Sequence, residues 1–340
     1  MDVSLWWPVI SVDAANIPFS SLLLHLPMPL LYPILLLLLP IPIITQFPPL
    51  TVVMANGRIW PSQRKMERQC SMIHIGISPY ILSTGGFVLT WHGFFAFVAV
   101  AVAVLLVARW AQREGIVSDV IYSTAIWAIV AGMFGARVTH VIDRWDFYSE
   151  SPGEIVAIWR GGIALYGGIL GGFLGGAIYA RFQGYPIGRL ADVTAPALLI
   201  AQTIGRIGDI INGEHLSKVT DLPWGFVYTH PDSLSAREHL LAASHPVIAY
   251  EMIWNMIVLG VIWWLWGRIK PDGMIFALYL GAYSFGRFLI TFLREDKIWF
   301  AGLQEAHLIA IVIIAVTVPL LAYRGRLVSK GEESGPPVGI

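Results

Sequence analysis

The sequence predicts an all-α fold: a polytopic membrane helical bundle of about seven transmembrane helices with a small external head loop. Two observations carry this prediction. Of the 340 residues, 56% are hydrophobic and only 13% are charged, and the mean hydropathy is +0.67, which is far above that of an ordinary soluble domain. The apolar residues also form runs of about 20 residues, the length that crosses a hydrocarbon core as a helix.

Seven apolar runs follow one another along the chain. They predict spans at 87–109, 120–142, 162–181, 192–211, 246–267, 273–293 and 303–323. The loops between them alternate in charge. The basic side carries Arg109, Arg113, Arg181, Arg189, Arg268, Lys270, Arg324, Arg326 and Lys330. The acidic side carries Asp143, Asp146, Glu150, Glu154, Glu214, Asp221, Asp232, Glu238, Glu295 and Asp296. Because basic loops mark the cytoplasmic side, the carboxyl terminus is predicted to be cytoplasmic.

Three parts are predicted along the chain: an N-terminal extension (1–71), a seven-span membrane domain (72–326) with its external head at 212–245, and a cytoplasmic tail (327–340). The extension is leucine-rich and has seven prolines from Leu22 to Pro49, too many for a spanning helix. It could be a signal or anchor segment, or translation could begin later, at Met66 or Met72.

Composition argues against several classes of site. The formal net charge is zero, so no global field favours nucleic acid. The single cysteine, Cys70, excludes an internal disulfide and a cysteine-based metal cluster. The histidines are scattered without ligand spacing, and neither a metal nor an organic cofactor is predicted.

Six glycines in the third span form two series with a spacing of four residues, 167, 171 and 175, and 168, 172 and 176. Glycines at this spacing share a helix face and let a neighbouring helix approach closely. The third span is therefore predicted to pack tightly against another helix.

The most informative motif closes the fourth span, from Gly205 to Glu214. It places Arg206, Asp209, Asn212 and Glu214 within nine residues. Ionisable groups at the edge of a span are costly unless they are paired or hydrated, so such a cluster marks a functional site by default. A single arginine that reaches the headgroups would not explain its polar neighbours.

Three arginines from different spans, Arg137, Arg206 and Arg287, fall at the predicted outer ends of their helices. Guanidinium groups bind phosphate bidentately and never lose their charge, so the arginines predict a pocket for an anionic phospholipid headgroup. The alternative is that they form ion pairs between helices. The acidic partners would then be Asp209, Glu214 and Glu251.

Several motifs, taken in order, resemble those of prolipoprotein diacylglyceryl transferases, the bacterial membrane enzymes that lipidate lipoprotein precursors. The resemblance covers about 85–325, which includes all seven predicted spans. It rests on Gly135-Ala136-Arg137, Gly161 to Gly168, Asp192 to Pro196, Gly205 to Glu214, Thr220 to Gly225, His245-Pro246 with Tyr250-Glu251, and Gly286 to Asp296.

The resemblance implies transfer of the diacylglyceryl group of phosphatidylglycerol to the lipobox cysteine thiol of a prolipoprotein, with release of glycerol phosphate. It implies a multi-pass protein of the bacterial plasma (inner) membrane that has its active site towards the outer leaflet and contacts membrane lipids. The expected catalytic residues are Arg206, Arg287, Tyr166 and His92. The expected substrate-binding residues are Arg137, Asp209, Asn212, Glu214, His245, Tyr250, Glu251 and Arg294.

Five positions depart from the family's usual pattern. Tyr166 replaces the histidine of a His-Gly-Gly motif, Asp209 an asparagine, and His92 the tyrosine of Trp-Tyr-Gly. Ile248 replaces a glutamine, and Thr291 a glutamate. A free tyrosine titrates near about 10, so it is a poorer base than histidine at neutral pH. His92 is therefore a candidate for supplying the base that position 166 lacks.

These departures leave two functions open. One is an active diacylglyceryl transferase, and the other is a catalytically weakened relative that binds phospholipid or prolipoprotein without transfer. A secondary transporter is disfavoured, because the spacing of the spans shows neither an inverted repeat nor paired broken helices.

Overall fold

The computed structural model describes residues 72–85, 87–158, 161–239 and 242–328. The predictions for residues 1–71, for Cys70 and for most of the predicted tail lie outside the described residues. Nine α-helices form within the described part of the chain: α1 (Trp91–Arg113), α2 (Ser118–Asp143), α3 (Trp145–Glu150), α4 (Leu165–Phe182), α5 (Ile187–Asn212), α6 (Leu234–His239), α7 (Val247–Leu265), α8 (Met274–Thr291) and α9 (Glu305–Arg324). All seven predicted spans therefore coincide with long helices.

Short strands connect the helix ends. They are β1 (Ile73–Ile75), β2 (Tyr80–Thr84), β3 (Phe87–Thr90), β4 (Phe226–Tyr228), β5 (Ile269–Lys270), β6 (Ile298–Phe300), β7 (Leu303–Gln304) and β8 (Arg326–Leu327). They form four two-stranded sheets: β1 pairs with β4 in parallel, and β2–β3, β5–β8 and β6–β7 pair antiparallel. The prediction of an all-α fold missed these strands, because two to five residues are too few to show an alternating pattern.

The protein is a mostly helical membrane protein. Five helices, α1, α2, α7, α8 and α9, are long and apolar enough to cross a membrane. The helices α4 and α5 are also long, at 18 and 26 residues, but they are not among those five. Six glycines dilute the apolar character of α4, and α5 carries charged residues at both ends.

Helix α5 is the centre of the bundle, because it packs against α1, α7 and α8. One apolar core joins α5 to the ends of α1, α2 and α4 through residues such as Ala111, Ile121 and Val193. A second core joins the middle of α5 to α7 and α8, with Leu199 and Ile262 fully buried. Burial on two sides keeps α5 in place although it carries several charged residues.

The glycines of α4 pack directly against α2, as their spacing predicts. A Cβ atom added at Gly171 would lie 2.5 Å from the carbonyl oxygen of Ala131, and one added at Gly135 would lie 2.5 Å from that of Gly167. No real Cβ atom sits that close to a carbonyl, so the two backbones touch only because both helices lack side chains there.

Replacing Gly171 with alanine is expected to lower the thermal unfolding temperature, because the added methyl group would force α2 and α4 apart. The matched control is Gly260→Ala in α7, where an added Cβ meets nothing within 4 Å. There the alanine should leave the protein unchanged or stabilise it by up to about 1 kcal/mol, since alanine is the better helix former. Equal unfolding temperatures for the two variants would contradict the backbone contact.

The side chain of Asp192 in α5 caps the start of α8. Its two carboxylate oxygens accept hydrogen bonds from the backbone N–H groups of Gly273, at 2.7 Å, and Phe276, at 2.8 Å. These N–H groups have no partner within their own helix, and a carboxylate also suits the positive end of the helix dipole. The contact fixes α5 and α8 relative to each other along their length.

Replacing Asp192 with alanine is expected to cost about 0.5–2 kcal/mol of stability, as for other capping residues. Asparagine should recover part of this, since its single carbonyl oxygen accepts one of the two hydrogen bonds. Thermal unfolding in detergent would measure the effect, with Asp119→Ala, an exposed acidic residue in the first turn of α2, as the control. A loss no larger than that of the control would contradict the capping role.

The segment between α5 and α7 forms a small folded unit. It contains β4 and α6, and it includes the predicted turn, closed by the Gly225 N–H donating to the Leu222 carbonyl at 3.0 Å. Backbone hydrogen bonds also join it to the end of α8: Lys218 N donates to Leu293 O, and Glu295 N to Leu216 O. The unit is thereby held against the helix ends at which the charged residues collect.

Candidate active site

The predicted site residues meet where four helix ends come together. Consecutive long helices run in opposite directions, so the start of α1, the end of α5, the start of α7 and the end of α8 lie at one end of the bundle. Nine residues form a connected network of charges there. They are His92, Arg206, Asp209, Glu214, His215, Glu251, Arg287, Arg294 and Asp296.

The Glu251 carboxylate joins the two arginines that are predicted to be catalytic. Its Oε2 lies 2.6 Å from an amino nitrogen of Arg206, and its Oε1 accepts a hydrogen bond from Arg287. The Glu251 side chain is 3% exposed, whereas the arginine side chains are 19% and 18% exposed. A buried carboxylate therefore holds two guanidinium groups side by side, and both arginine side chains remain partly exposed.

Asp209 is the second buried carboxylate of the network. Its Oδ2 accepts a hydrogen bond from Arg206 at 2.7 Å and lies 3.3 Å from Nε2 of His215. Its Oδ1 lies 2.5 Å from Nδ1 of His92. Asp209 thus links an arginine on its own helix to a histidine on α1.

His92 is fixed by two carboxylates through a single ring nitrogen. Its Nδ1 lies 2.5 Å from Asp209 and 3.1 Å from Oε1 of Glu214. Since ionised carboxylates only accept hydrogen bonds, Nδ1 carries the proton in this arrangement. The side chain is half exposed, which leaves the opposite nitrogen, Nε2, available to a substrate.

The backbones of α1 and α5 touch beside this histidine. A Cβ added at Gly208 would lie 2.7 Å from the carbonyl oxygen of Trp91 and 2.8 Å from the Cα of His92. The Thr90 side chain also caps the first turn of α1 by accepting from Gly93 N at 3.0 Å. The orientation of His92 is therefore set by close backbone packing as well as by the carboxylates.

Arg294 is held by Asp296, which accepts from Nε at 2.6 Å and from an amino nitrogen at 3.2 Å. That amino nitrogen also lies 3.1 Å from Nδ1 of His215. Burial alone would raise the pKa of Asp296, but the hydrogen bonds and charge of Arg294 outweigh burial and hold this pKa below its usual value. Arg294 is 5% exposed and lies 4.0 Å from Glu251.

The remaining predicted residues surround this network. Tyr166 is the second residue of α4 and follows Ala164, whose N–H donates to the Ala136 carbonyl of α2 at 3.0 Å. Tyr250 accepts a hydrogen bond from Nε1 of Trp224 at 2.8 Å, and its ring lies 6.4 Å from that of His245. Burial, reinforced by the charge of Lys218, lowers the pKa of His245.

Asn212 ends α5 and is 6% exposed, and its side-chain oxygen has no hydrogen-bond partner among the described residues. Arg137 occupies a different place. Its guanidinium donates to the backbone carbonyls of the segment between α2 and α4, and no ion pair joins it to the network within the described residues. The expectation that Arg137 binds substrate stays a prediction.

His92, Asp209 and Glu214 each offer one atom that could bind a metal ion, and these three atoms lie within 4.8 Å of one another. The sequence shows the histidines as scattered, but the fold brings one of them to two carboxylates. In this arrangement Arg206 already supplies positive charge to Asp209 at 2.7 Å, and Nδ1 of His92 donates to the carboxylates. The expectation that no metal takes part stays a prediction.

Comparison with known proteins decides the family. Residues 79–323 match the prolipoprotein diacylglyceryl transferase family. The chain belongs to this family.

Three curated relatives are named phosphatidylglycerol–prolipoprotein diacylglyceryl transferase. The relative from Nostoc sp. is 33% identical over 254 residues, which is 72% of this chain and 88% of the relative. The relative from Thermosynechococcus vestitus is 36% identical over 237 residues (69% and 88%), and that from Dehalococcoides mccartyi is 33% identical over 258 (75% and 96%).

Two departures from the usual pattern of diacylglyceryl transferases contact each other. His92 replaces a tyrosine and Asp209 an asparagine, and the two side chains lie 2.5 Å apart. The two substitutions place a histidine beside a carboxylate where the family's usual residues would be a tyrosine and an asparagine. The other departures are separate: Thr291 is buried and its hydroxyl donates to the Arg287 carbonyl at 2.6 Å, and Ile248 is buried near the start of α7.

The sequence prediction missed two members of the network, His215 and Asp296, as site residues. Each follows a predicted residue closely, since His215 comes directly after Glu214 and Asp296 lies two positions beyond Arg294. Their proximity in sequence was a signal that could have identified them. Their contact across the helix ends depends on the pairing of the segment after α5 with the end of α8, which no local pattern reveals.

Proposed function

We propose that this protein transfers the diacylglyceryl group of phosphatidylglycerol to the lipobox cysteine of prolipoproteins. The cysteine sulfur attacks the glyceryl carbon that carries the phosphate. A C–S bond forms, the C–O bond to phosphate breaks, and glycerol phosphate leaves with the bonding electrons. The observation that carries this proposal is the pair of partly exposed arginines, Arg206 and Arg287, on either side of the buried Glu251 carboxylate.

The two arginines bind the phosphate of the lipid. Each guanidinium has five N–H donors, and the contacts with Glu251 and Asp209 use only some of them. The other donors remain for the phosphate oxygens. As the C–O bond breaks, negative charge grows on the leaving phosphate, and two fixed cations stabilise that charge more strongly than they stabilise the bound lipid. Such preorganised electrostatic stabilisation is usually the largest contribution to catalysis.

Glu251 keeps the two arginines in place when no lipid is bound. The two positive charges would repel each other at this separation, and the negative charge of the Glu251 carboxylate, which is 3% exposed, offsets the repulsion. Arg294 lies 4.0 Å from Oε1 of Glu251 and adds a third positive charge next to the two arginines. The pocket is thus arranged before the substrate arrives, and little reorganisation is needed during the reaction.

His92 is the base for the cysteine thiol. The contact of its Nδ1 with Asp209 fixes the tautomer and directs Nε2 outwards, which is the geometry by which an aspartate orients a catalytic histidine. The thiol gives its proton to Nε2, and the carboxylates of Asp209 and Glu214 stabilise the imidazolium that forms. Tyr166 contributes a hydrogen bond to the lipid phosphate or to the sulfur.

The other candidates bind the substrates around this centre. The free side-chain oxygen of Asn212, the Tyr250 hydroxyl and His245 would contact the glycerol headgroup or the peptide backbone near the lipobox. Glu214 and Asp209 act on the substrate through His92, and Glu251 and Arg294 through the paired arginines.

The membrane arrangement follows from the charges of the loops. Seven helices, α1, α2, α4, α5, α7, α8 and α9, cross the bacterial plasma membrane, and the basic ends face the cytoplasm. The pairing of β5 with β8 brings Lys270 and Arg326 together at that side. The folded unit at 212–245 forms the external head, the active site faces the outer leaflet, and residues 327–340 form a cytoplasmic tail beyond a membrane domain of 72–326.

The reaction is tested with purified protein, phosphatidylglycerol vesicles and a lipobox peptide, followed by mass spectrometry. The expected product is the peptide with one diacylglyceryl group on its cysteine, absent when the peptide carries serine there. A folded protein that binds phosphatidylglycerol but gives no product would contradict the proposal and favour a binding protein without transferase activity.

A further inference from the structure

Arg137 is a buried cation whose partners are backbone carbonyl groups. The residue is 6% exposed. Its Nε donates to Ile155 O at 2.9 Å, one amino nitrogen donates to both Gly161 O and Gly162 O at 2.6 Å, and the other donates to Glu154 O at 2.5 Å. Four of the five N–H donors of the guanidinium are therefore used by one segment of chain, 154–162.

The described parts of this segment, 154–158 and 161–162, have little regular structure of their own. It connects α3 to α4 through a short 3₁₀ helix, Pro152–Val156, and both Gly161 and Gly162 have positive φ angles, 85° and 80°. A Cβ added at Gly162 would lie 2.8 Å from the Arg137 guanidinium and from the His140 ring. The segment therefore folds closely around the arginine, with no room for a side chain at Gly162.

The segment leads directly into the start of α4. The Ala164 N–H donates to the Ala136 carbonyl at 3.0 Å, next to Arg137 in α2, and Tyr166 follows two residues later. Arg137 and this backbone bond thus attach the entrance of α4 to α2 at the level of the charged network.

We propose that Arg137 is a positioning residue: by binding the carbonyl groups of residues 154, 155, 161 and 162 it places the start of α4, and with it Tyr166. This inference rests on the proposed function, in which Tyr166 contacts the lipid phosphate or the sulfur. A phosphate bound bidentately to Arg137 would displace at least one of these carbonyl groups, which would be left without a partner. The arginine therefore acts through the backbone that it holds.

The test compares Arg137→Ala, Arg137→Lys and the exposed control Arg144→Ala in the peptide transfer assay. Turnover at saturating phosphatidylglycerol should fall by about 10²-fold in both Arg137 variants, since small misplacement of a catalytic group has effects of this size. The KM for phosphatidylglycerol should stay within about 2-fold. Lysine should not rescue, because one ammonium group cannot match four carbonyls in the plane of a guanidinium. Added guanidinium chloride should restore part of the activity of Arg137→Ala.

A second measurement reports on the segment without using activity. In a Cys70→Ser background, a spin label at the exposed position Ile163 should become more mobile in Arg137→Lys, whereas a label at Ile178 on the lipid-exposed part of α4 should not change. If the Arg137→Ala protein does not fold, Arg137→Lys and Gly162→Ala are compared with the unmodified protein instead. Each variant weakens the contact between Arg137 and the segment and leaves the rest of α2 unchanged.

Three results would overturn the proposal: a large increase in KM at unchanged turnover, which would mean that Arg137 binds the lipid; full rescue by lysine; or an unchanged label at Ile163. If the unmodified protein transfers no lipid at all, the proposed function fails. The label at Ile163 then tests the role of Arg137 separately: greater mobility in Arg137→Lys supports it, and unchanged mobility contradicts it.

Discussion

Replacing Arg206 or Arg287 with alanine is expected to lower turnover by about 10²–10³-fold, the effect of removing one group that stabilises the charge of a transition state. Both arginines contact Glu251, and each leaves N–H donors for the phosphate. The loss should appear chiefly in turnover, because the charge on the leaving phosphate grows during the reaction. Lysine at either position should recover activity only in part, since it keeps the charge but not the bidentate geometry.

The matched control for Arg206 is Arg189→Ala. Arg189 lies at the other end of the same helix and pairs with Asp272 at 3.1 Å, so it reports the effect of losing an ion pair on α5 away from the site. Transfer rates and unfolding temperatures would be measured for all variants. Turnover of Arg206→Ala and Arg287→Ala close to that of Arg189→Ala would contradict the assignment of the phosphate to these arginines.

Replacing His92 with alanine is expected to lower turnover by about 10²–10⁴-fold, the usual contribution of a general base. Asp209→Asn should produce a smaller loss. An asparagine can still touch Nδ1, but it can present its amide group instead and so no longer fixes the tautomer. Peptides whose cysteine is already ionised should depend less on His92, and measuring transfer to peptides with thiols of different acidity would show this.

The exchange of residues between positions 92 and 166 offers a sharper comparison. His92→Tyr should be nearly inactive, because the base is lost and Tyr166 cannot replace it at neutral pH. Adding Tyr166→His to that variant restores a histidine at the position usual in the family and should recover part of the activity. An active His92→Tyr single variant would show that this histidine is not the base.

Sequence patterns predicted the helices of this protein better than the contacts of its site. Apolar runs of about 20 residues are set by the thickness of the membrane, so all seven predicted spans correspond to long helices. The glycine spacing of α4 predicted close packing against another helix, which the structure identifies as α2. The strands were missed, because two to five residues are too few to show an alternating pattern, and the pairing of β1 with β4 also joins residues far apart in sequence.

The site was predicted in part. The ion pairs between helices are present for Arg206, which pairs with Asp209 and Glu251, and for Arg287, which pairs with Glu251, whereas the phosphate pocket stays a prediction. Sequence alone could not show that Arg137 donates to four backbone carbonyls. Every residue type has a backbone carbonyl, so acceptors of this kind produce no recognisable sequence motif. Nor could the sequence show that His92 and Asp209 touch, because 117 positions separate them and only the packing of α1 on α5 brings them together.

The central claim, that the arginine pair stabilises phosphate as it leaves, is tested most directly by following both products at once. Phosphatidylglycerol with an isotopically labelled headgroup is incubated with the protein and a lipobox peptide, and labelled glycerol phosphate and lipidated peptide are counted. We expect equal amounts of the two products from the unmodified protein, and neither from a folded Arg206→Ala, Arg287→Ala double variant. Lipidated peptide formed without released glycerol phosphate, or formed at an undiminished rate by the double variant, would contradict the mechanism.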